Sequence, residues 1–484
     1  MTTIKLDPGA ALLLDALHGA GHAAYAVGGC VRDSLLGLDP HDWDLCTSAR
    51  PEQVMALFGE EKCIPTGLQH GTVTVKQGGR LYETTTFRTE GAYSDGRHPD
   101  AVCFVPDVRA DLARRDFTIN AMAYSAEEGL IDPFGGRDDL AAHLVRAVGE
   151  PERRFEEDAL RILRLYRFAA RFGFAIDPAT GAAARALGPH LDCVSAERIQ
   201  EELLKLLAAP RPGSYLEPAV LAVVLPELEP EKQPERFAEL CRTIDRIEPT
   251  AENVPARLAA LLYPLGEAGA RKALRKLKCS NALTDEVTAL EREAGGGAGS
   301  FLLGHEFELR HPADALCLER HSHPAGRCPN SNSLFPPQAA VVAVAGHSIA
   351  RPIACGNRVP PQRTVLGETP GTPNTTLTVQ AKRLLGRYEL PTIQRLTALC
   401  SARHPEQAGA FAALRAEAER LTAENACCRV SQLAVNGRDL MAAGVRPGPG
   451  LRQVLNALLE AVITGQTPNE KDALLAAAAR FSAS

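Results

Sequence analysis

Asp42 and Asp44 stand one residue apart, shortly after a Gly28-Gly29 turn that leads into Val31, Arg32 and Asp33. On a strand, residues two apart point to the same side, so both carboxylates can face one site. Carboxylate oxygens suit Mg2+. Ions held there would neutralise charge on a phosphoryl group while an oxygen attacks it in line. The glycines let backbone N–H groups approach phosphate oxygens, and Arg32 is spaced to clamp a triphosphate. A DxD pair alone is most often a solvated turn. The glycine turn upstream shifts the balance towards a nucleotide site.

Two further sets carry chemistry. Arg114, Arg115, Asp116 and Asn120 could hold phosphate and ribose, although by themselves they read equally as a surface charge cluster. Downstream, Asp158, Arg161, Arg164 and Arg167 recur every third residue and form one slowly drifting helical stripe. A solvated ladder of ion pairs is the ordinary reading of such a stripe. The functional reading is that an acid and an arginine mimic a base edge. Cytosine and adenine each present an amino donor beside a ring acceptor; uracil and guanine present the reverse. One Asp–Arg pair therefore satisfies C or A and leaves unpaired groups with U or G, at about 1–3 kcal/mol each.

The elements that must position these residues are legible in outline. Ala24 to Val27 reads as a strand ending in the glycine turn, Val31 to Leu36 as a helix, and Asp42 to Cys46 as the next strand. Ser48 is placed to cap a helix over Pro51 to Phe58. Thr72 to Lys76 and Arg80 to Phe87 flank Gly78-Gly79 as a hairpin. Glu90 to Pro99 reads as a mobile loop. After Pro151 helical periodicity takes over, with Glu152 to Phe172 as one helix and Ser195 to Leu207 as another.

With 484 residues the chain is too long for one core. Its net charge of −6 provides no global field for nucleic acid, so any RNA binding must use local basic patches. The opening residues lack a basic stretch followed by an apolar run, and no apolar stretch is long enough to span a bilayer. A cytoplasmic setting with free thiols is expected.

Taken in order, Val27-Gly28-Gly29-Cys30-Val31-Arg32-Asp33 with Asp42-Trp43-Asp44, then Arg114 to Ala121, then Phe134 to Leu140, then Glu157-Asp158 through Arg161 and Arg164, resemble successive motifs of the class II tRNA nucleotidyltransferase and bacterial poly(A) polymerase family. The resemblance implies an α+β fold class, with a polymerase-beta-like nucleotidyltransferase head of mixed sheet and helices followed by all-α neck, body and tail domains. The expected boundaries are 1–150 for the head, 151–235 for the neck, 236–294 for the body and 377–484 for the tail, with an irregular insertion at 295–376. It also implies addition of CCA to tRNA 3′ ends from CTP and ATP. Asp42 and Asp44 would bind Mg2+, and Gly29, Arg32 and Arg115 would hold the triphosphate or sugar. Asp158 and Arg161 would read the base, supported by Arg164 and Arg167, and Glu83 is a candidate third carboxylate. The stretch Leu433 to Ala479 is similar to the tail of CCA-adding enzymes.

Leu261-Leu262-Tyr263-Pro264-Leu265 stands where many relatives carry a His-Asp metal pair, so no phosphohydrolase activity is expected. Cys317, His321, His323 and Cys328 invite a zinc reading, with a spacing that matches no familiar finger. Poly(A) addition, CC-only or A-only addition, and a non-catalytic RNA-binding protein remain the competing readings.

Overall fold

The computed structural model describes residues 3–90, 102–295 and 375–481. The expected loop at 90–99, the segment 295–376 and its zinc-ligand candidates lie outside the described residues, apart from Glu90, Gly295, Thr375 and Thr376.

Helices α1 (Pro8–Gly19), α2 (Gly29–Leu35), α3 (Pro51–Phe58), α4 (Val108–Ala113) and α5 (Gly136–Ala141) are interleaved with strands β1 (Ala24–Val27), β2 (Leu45–Thr47), β3 (Cys63–Gly67), β4 (Thr72–Gln77), β5 (Arg80–Thr86), β6 (Arg88–Glu90), β7 (Val102–Phe104), β8 (Ala123–Ser125) and β9 (Gly129–Ile131). Seven strands form one mixed sheet in the order β3-β4-β5-β2-β1-β8-β9. The β4–β5 hairpin closes where expected, with Gln77 opposite Arg80 and both Gly78 and Gly79 at positive φ. β2 pairs antiparallel with β1 and parallel with β5, with Leu45 beside Thr84. Apolar side chains pack on both faces. Trp43, Leu45, Val73 and Val75 join the main core; Tyr25, Val27, Cys46 and Phe87 join a second cluster.

Two local expectations are corrected. The strand begins at Leu45 rather than Asp42, although Val27 N–H still donates to the Asp44 carbonyl at 2.9 Å. Ser48 does not cap α3: its hydroxyl accepts from Ala23 N–H, tying the end of β2 to the start of β1, and Arg50 is the residue before the helix.

From residue 151 the described chain is helical, apart from β11 (Ala175–Ile176), which pairs with the preceding β10 (Leu144–Val145). Helices α6 (Pro151–Glu157), α7 (Leu160–Phe172), α8 (Pro178–Ala186), α9 (Ala196–Leu207) and α10 (Pro218–Val224) come first. They are followed by α11 (Pro234–Arg246), α12 (Val254–Leu262), α13 (Gly266–Lys276) and α14 (Asn281–Gly295). After the undescribed segment come α15 (Thr375–Arg387), α16 (Leu390–Arg403), α17 (Ala408–Ala423), α18 (Gly437–Ala442), α19 (Pro449–Ile463) and α20 (Lys471–Phe481). No described helix is long and apolar enough to cross a membrane.

The expected single helix over Glu152 to Phe172 is broken at Asp158. That residue takes an extended conformation (φ −150°, ψ 102°), and its carboxylate accepts from Leu160 N–H at 3.1 Å. Aspartate competes with helical backbone bonding in this way, which favours it at helix boundaries. Fully buried Arg257 on α12 is a second organising device. Its guanidinium donates to the carbonyls of Leu207, Ala209 and Ile247, so it satisfies the end of α9 and fixes it to α12.

Candidate nucleotidyl-transfer site

Trp43 explains how the two aspartates come to face one way. Its indole is buried while Asp42 and Asp44 on either side are exposed. The register carries Glu83 to the same place: Leu45 lies beside Thr84, so the preceding Asp44 falls beside Glu83. Along β5 Tyr82 and Thr84 are buried and Glu83 is exposed, as pleating requires. Asp44 is open on its solvent side yet crowded by protein behind it. That partial desolvation, then the negative charges of Glu83 and Asp42, pushes its pKa up to about 6, with Arg115 opposing them. Beneath, the Cys30 thiol donates to the Val27 carbonyl and, more weakly, to that of Asp44.

Among the described residues, no three His, Cys, Asp or Glu side chains form a ready-made metal cluster. Asp42, Asp44 and Glu83 instead make an open acidic face. Its hard oxygen donors and mutual repulsion suit a divalent cation that keeps further positions for phosphate and water.

The glycine turn is built for close approach. Gly28 sits at φ 76°, and a side chain there would place its Cβ 2.9 Å from Arg115 Nη1. Arg115 bonds Asp111 through Nη2 at 3.3 Å, while its buried Nε has no hydrogen-bond partner. It is therefore an arginine with unused donor capacity beside both the turn and Asp44. Arg32, expected to clamp a triphosphate, is held by protein groups in this structure. It is buried, donates to Asp33 and to Asn120 Oδ1, and lies over the Phe168 and Phe172 rings at 5.3 and 4.8 Å. Its guanidinium joins α2, the Asp116–Asn120 segment and α7.

The arginines of α7 are not a solvated ladder. Arg161 and Arg167 are buried and Arg164 is half-buried. Arg161 donates to Glu157 at 2.8 Å and to the carbonyls of Arg154 and Arg114. Arg164 donates twice to Asp116, at 2.9 and 2.6 Å. Arg167 donates to Glu202 at 2.5 Å and lies over Phe168 at 4.0 Å. Asp116 responds with a pKa lowered to about 2: Arg164 and the Asn120 amide outweigh the opposing cost of burial. Asp158, the other half of the expected base-reading pair, accepts from Arg198 of α9 at 2.8 Å. Arg161 N–H donates to the Asp158 carbonyl, so the two residues share one turn without a side-chain bond between them.

Residues 114–120 are the hinge of this arrangement. They carry Arg115 to the glycine turn, Asn120 to Arg32, Asp116 to Arg164 and the Arg114 carbonyl to Arg161. Glu202 and Arg198 join the site from outside the expected residues. Glu202 is buried at the helical spacing of Ile199, Leu203 and Leu206, and an acid on that apolar stripe was the available signal.

Family models match three stretches of the chain. They are described as the poly A polymerase head domain (residues 24–146), the probable RNA and SrmB-binding site of polymerase A (173–231) and tRNA nucleotidyltransferase domain 2 (392–478). The CCA-adding enzyme of Levilactobacillus brevis is 34% identical over 465 residues, covering 96% of both chains. The chain belongs to the CCA-adding enzyme family. The CCA-adding enzyme of Leuconostoc citreum is 44% identical over 257 residues, a match that spans 53% of this chain and 63% of that relative, less than two thirds of its length. Among solved structures, the Bacillus stearothermophilus CCA-adding enzyme in complex with CTP superposes with a TM-score of 0.69 at 29% identity, covering 98% of each chain. The α+β architecture expected of the family is thus borne out.

Proposed function

We propose that the protein adds CCA to the 3′ end of tRNA from CTP and ATP, with release of pyrophosphate and without a nucleic-acid template. The observation that carries this reading is the single bonded segment 114–120, which links the acidic face at Asp42, Asp44 and Glu83 to the arginine helix α7. The family names and the likeness to a CTP-bound enzyme support it. The tail favours tRNA over poly(A) synthesis, because residues 392–478 match the tRNA nucleotidyltransferase model while the first two models are polymerase A descriptions.

In this reading Asp42 and Asp44, with Glu83 beside them, hold Mg2+, which supplies charge neutralisation at the α-phosphate. Arg115 holds the triphosphate from above Gly28, and Gly29 lets its chain approach. Arg32 keeps the turn docked on α7. Asp158 and Arg161 present the base edge. Each retains hydrogen-bonding capacity, since a carboxylate accepts about four bonds and a guanidinium donates about five. Arg164 and Arg167 hold that turn through Asp116 and Glu202. The division into head (1–150), neck (151–235), body (236–294) and tail (377–484) belongs to the same proposal, as does a cytoplasmic location.

The test is incubation with tRNA lacking its last three nucleotides, CTP, ATP and Mg2+. Addition limited to C, C and A is expected. Long A-tails would convert the assignment to poly(A) polymerase, and no metal-dependent turnover would overturn it.

A further inference from the structure

Many exposed arginines in the helical part are tied to acids: Arg242 and Arg246 to Glu239, Arg292 to Glu267, and Arg420 to Glu417 and Glu424. The C-terminal half of α13 breaks this pattern. Residues 271–278 read Arg-Lys-Ala-Leu-Arg-Lys-Leu-Lys, with five cations and no acid. Arg271 is bonded to Asp285 and Thr288. Lys272, Arg275, Lys276 and Lys278 are all exposed, and their side chains have no ion pair or hydrogen bond among the described residues. Two acids on α13 and α14 are already engaged, Glu267 by Arg292 and Asp285 by Arg271.

Lys272, Arg275 and Lys276 stand at i, i+3 and i+4, so they share one face. Lys278 follows with a left-handed backbone (φ 59°) just beyond the helix end. The four span about 9 Å of helix axis. The opposite face is spent: Ala270, Ala273, Leu274 and Leu277 are buried, and α13 packs on α14. A basic amphipathic helix that binds bilayers needs a free apolar face, and this one has none. Cations in a last turn also complement the helix macrodipole, but like charges at i and i+4, as Lys272 and Lys276 are, cost a comparable amount. Self-stabilisation therefore does not account for the cluster. A linear polyanion does. In a chain of net charge −6, such a ridge is a local attractor for one.

We infer that the Lys272–Lys278 ridge docks the phosphate backbone of the substrate RNA. The inference rests on the proposed tRNA-extending activity and adds to it a residue-level site on α13, outside the nucleotide site.

The test uses the full chain carrying Lys272→Ala, Arg275→Ala and Lys276→Ala together, with tRNA lacking its last three nucleotides as the probe. The slope of log affinity against log salt should become shallower by about 3, roughly one for each lost phosphate contact. The KM for tRNA should rise at least about tenfold near 0.15 M salt, while KM for CTP and kcat at saturating tRNA stay at parental values. Arginine replacements at Lys272 and Lys276, with Arg275 retained, should keep parental binding. An unchanged salt slope and tRNA KM would overturn the inference. So would a lowered melting temperature with the slope intact, which would assign the cations to helix stability. Lost binding to phosphatidylserine vesicles with RNA affinity unaltered would overturn it in favour of a membrane partner. A parent protein that binds tRNA but adds no nucleotide would sink the proposed activity instead, and the salt slope would still report on the ridge.

Discussion

Asp44 and Asp116 are aspartates of the same site in opposite company. Asp44 faces Glu83 and Asp42, with Arg115 as its opposing charge, and its pKa is pushed up to about 6. Asp116 is enclosed by Arg164 and Asn120, and its pKa is pulled down to about 2. The acidic face is therefore left electrostatically unfinished and gains from a cation. The charges of the arginine helix are compensated within the protein, since Arg161, Arg164 and Arg167 each have a carboxylate partner. One region leaves its charge open, and the other pairs its charge internally.

The largest effect expected from breaking this contrast is on turnover. Asp44→Asn should lower CTP incorporation on the order of 10³-fold, about 4 kcal/mol in the barrier, with tRNA affinity unchanged. Parental turnover in that variant would end the metal role. Next is the buried pair: Asp116→Asn removes the acid that neutralises Arg164, and should cost ~3 kcal/mol in denaturant unfolding at pH 7. The sign of its pH dependence follows from the lowered pKa. The ionised pair stabilises the fold above the unfolded value near 4, and that contribution disappears as pH falls towards 2. A variant as stable as the parent at pH 7 would show that α7 does not depend on the pair.

Arg161→Ala should narrow the preference for CTP over UTP by roughly 10- to 100-fold, because one half of the base-edge match is gone. Unaltered selectivity in a four-nucleotide assay would refute the side-chain template. The smallest effect separates the two aspartates. Because Asp44 has a raised pKa, the folded state binds its proton more tightly than the unfolded state, so its ionisation takes stability away as pH rises from about 4 to 6. Without divalent ions, Asp44→Asn should melt slightly above the parent at pH 7.5 and equal it below pH 4. A lower melting temperature at pH 7.5 would mean that Asp44 is already compensated.

Much of this site was open to reading along the chain. The Gly28-Gly29 turn, the alternation around Trp43 and the spacing of Arg161, Arg164 and Arg167 are local patterns with periods of two residues or one helical turn. So are the β4–β5 hairpin and the amphipathic α9. The break at Asp158 was missed because the apolar periodicity continues across it, and only the carboxylate bonded to Leu160 N–H ends the first helix. Arg32 was expected to meet phosphate because its spacing places it near the turn. What it meets within the protein, Asn120 and two phenylalanine rings of α7, lies far along the chain.

The sequence by itself determined the glycine turn, the acid pair and the arginine stripe that make metal, phosphate and base chemistry conceivable here, because side-chain type and short-range spacing are local properties. Tertiary structure alone decided the partners. Glu83 reaches Asp44 through a parallel strand pairing, Glu202 reaches Arg167 from another helix, and Arg115 comes to rest over Gly28. Whether a charge is compensated depends on groups brought together by folding, and no spacing along the chain encodes that distance.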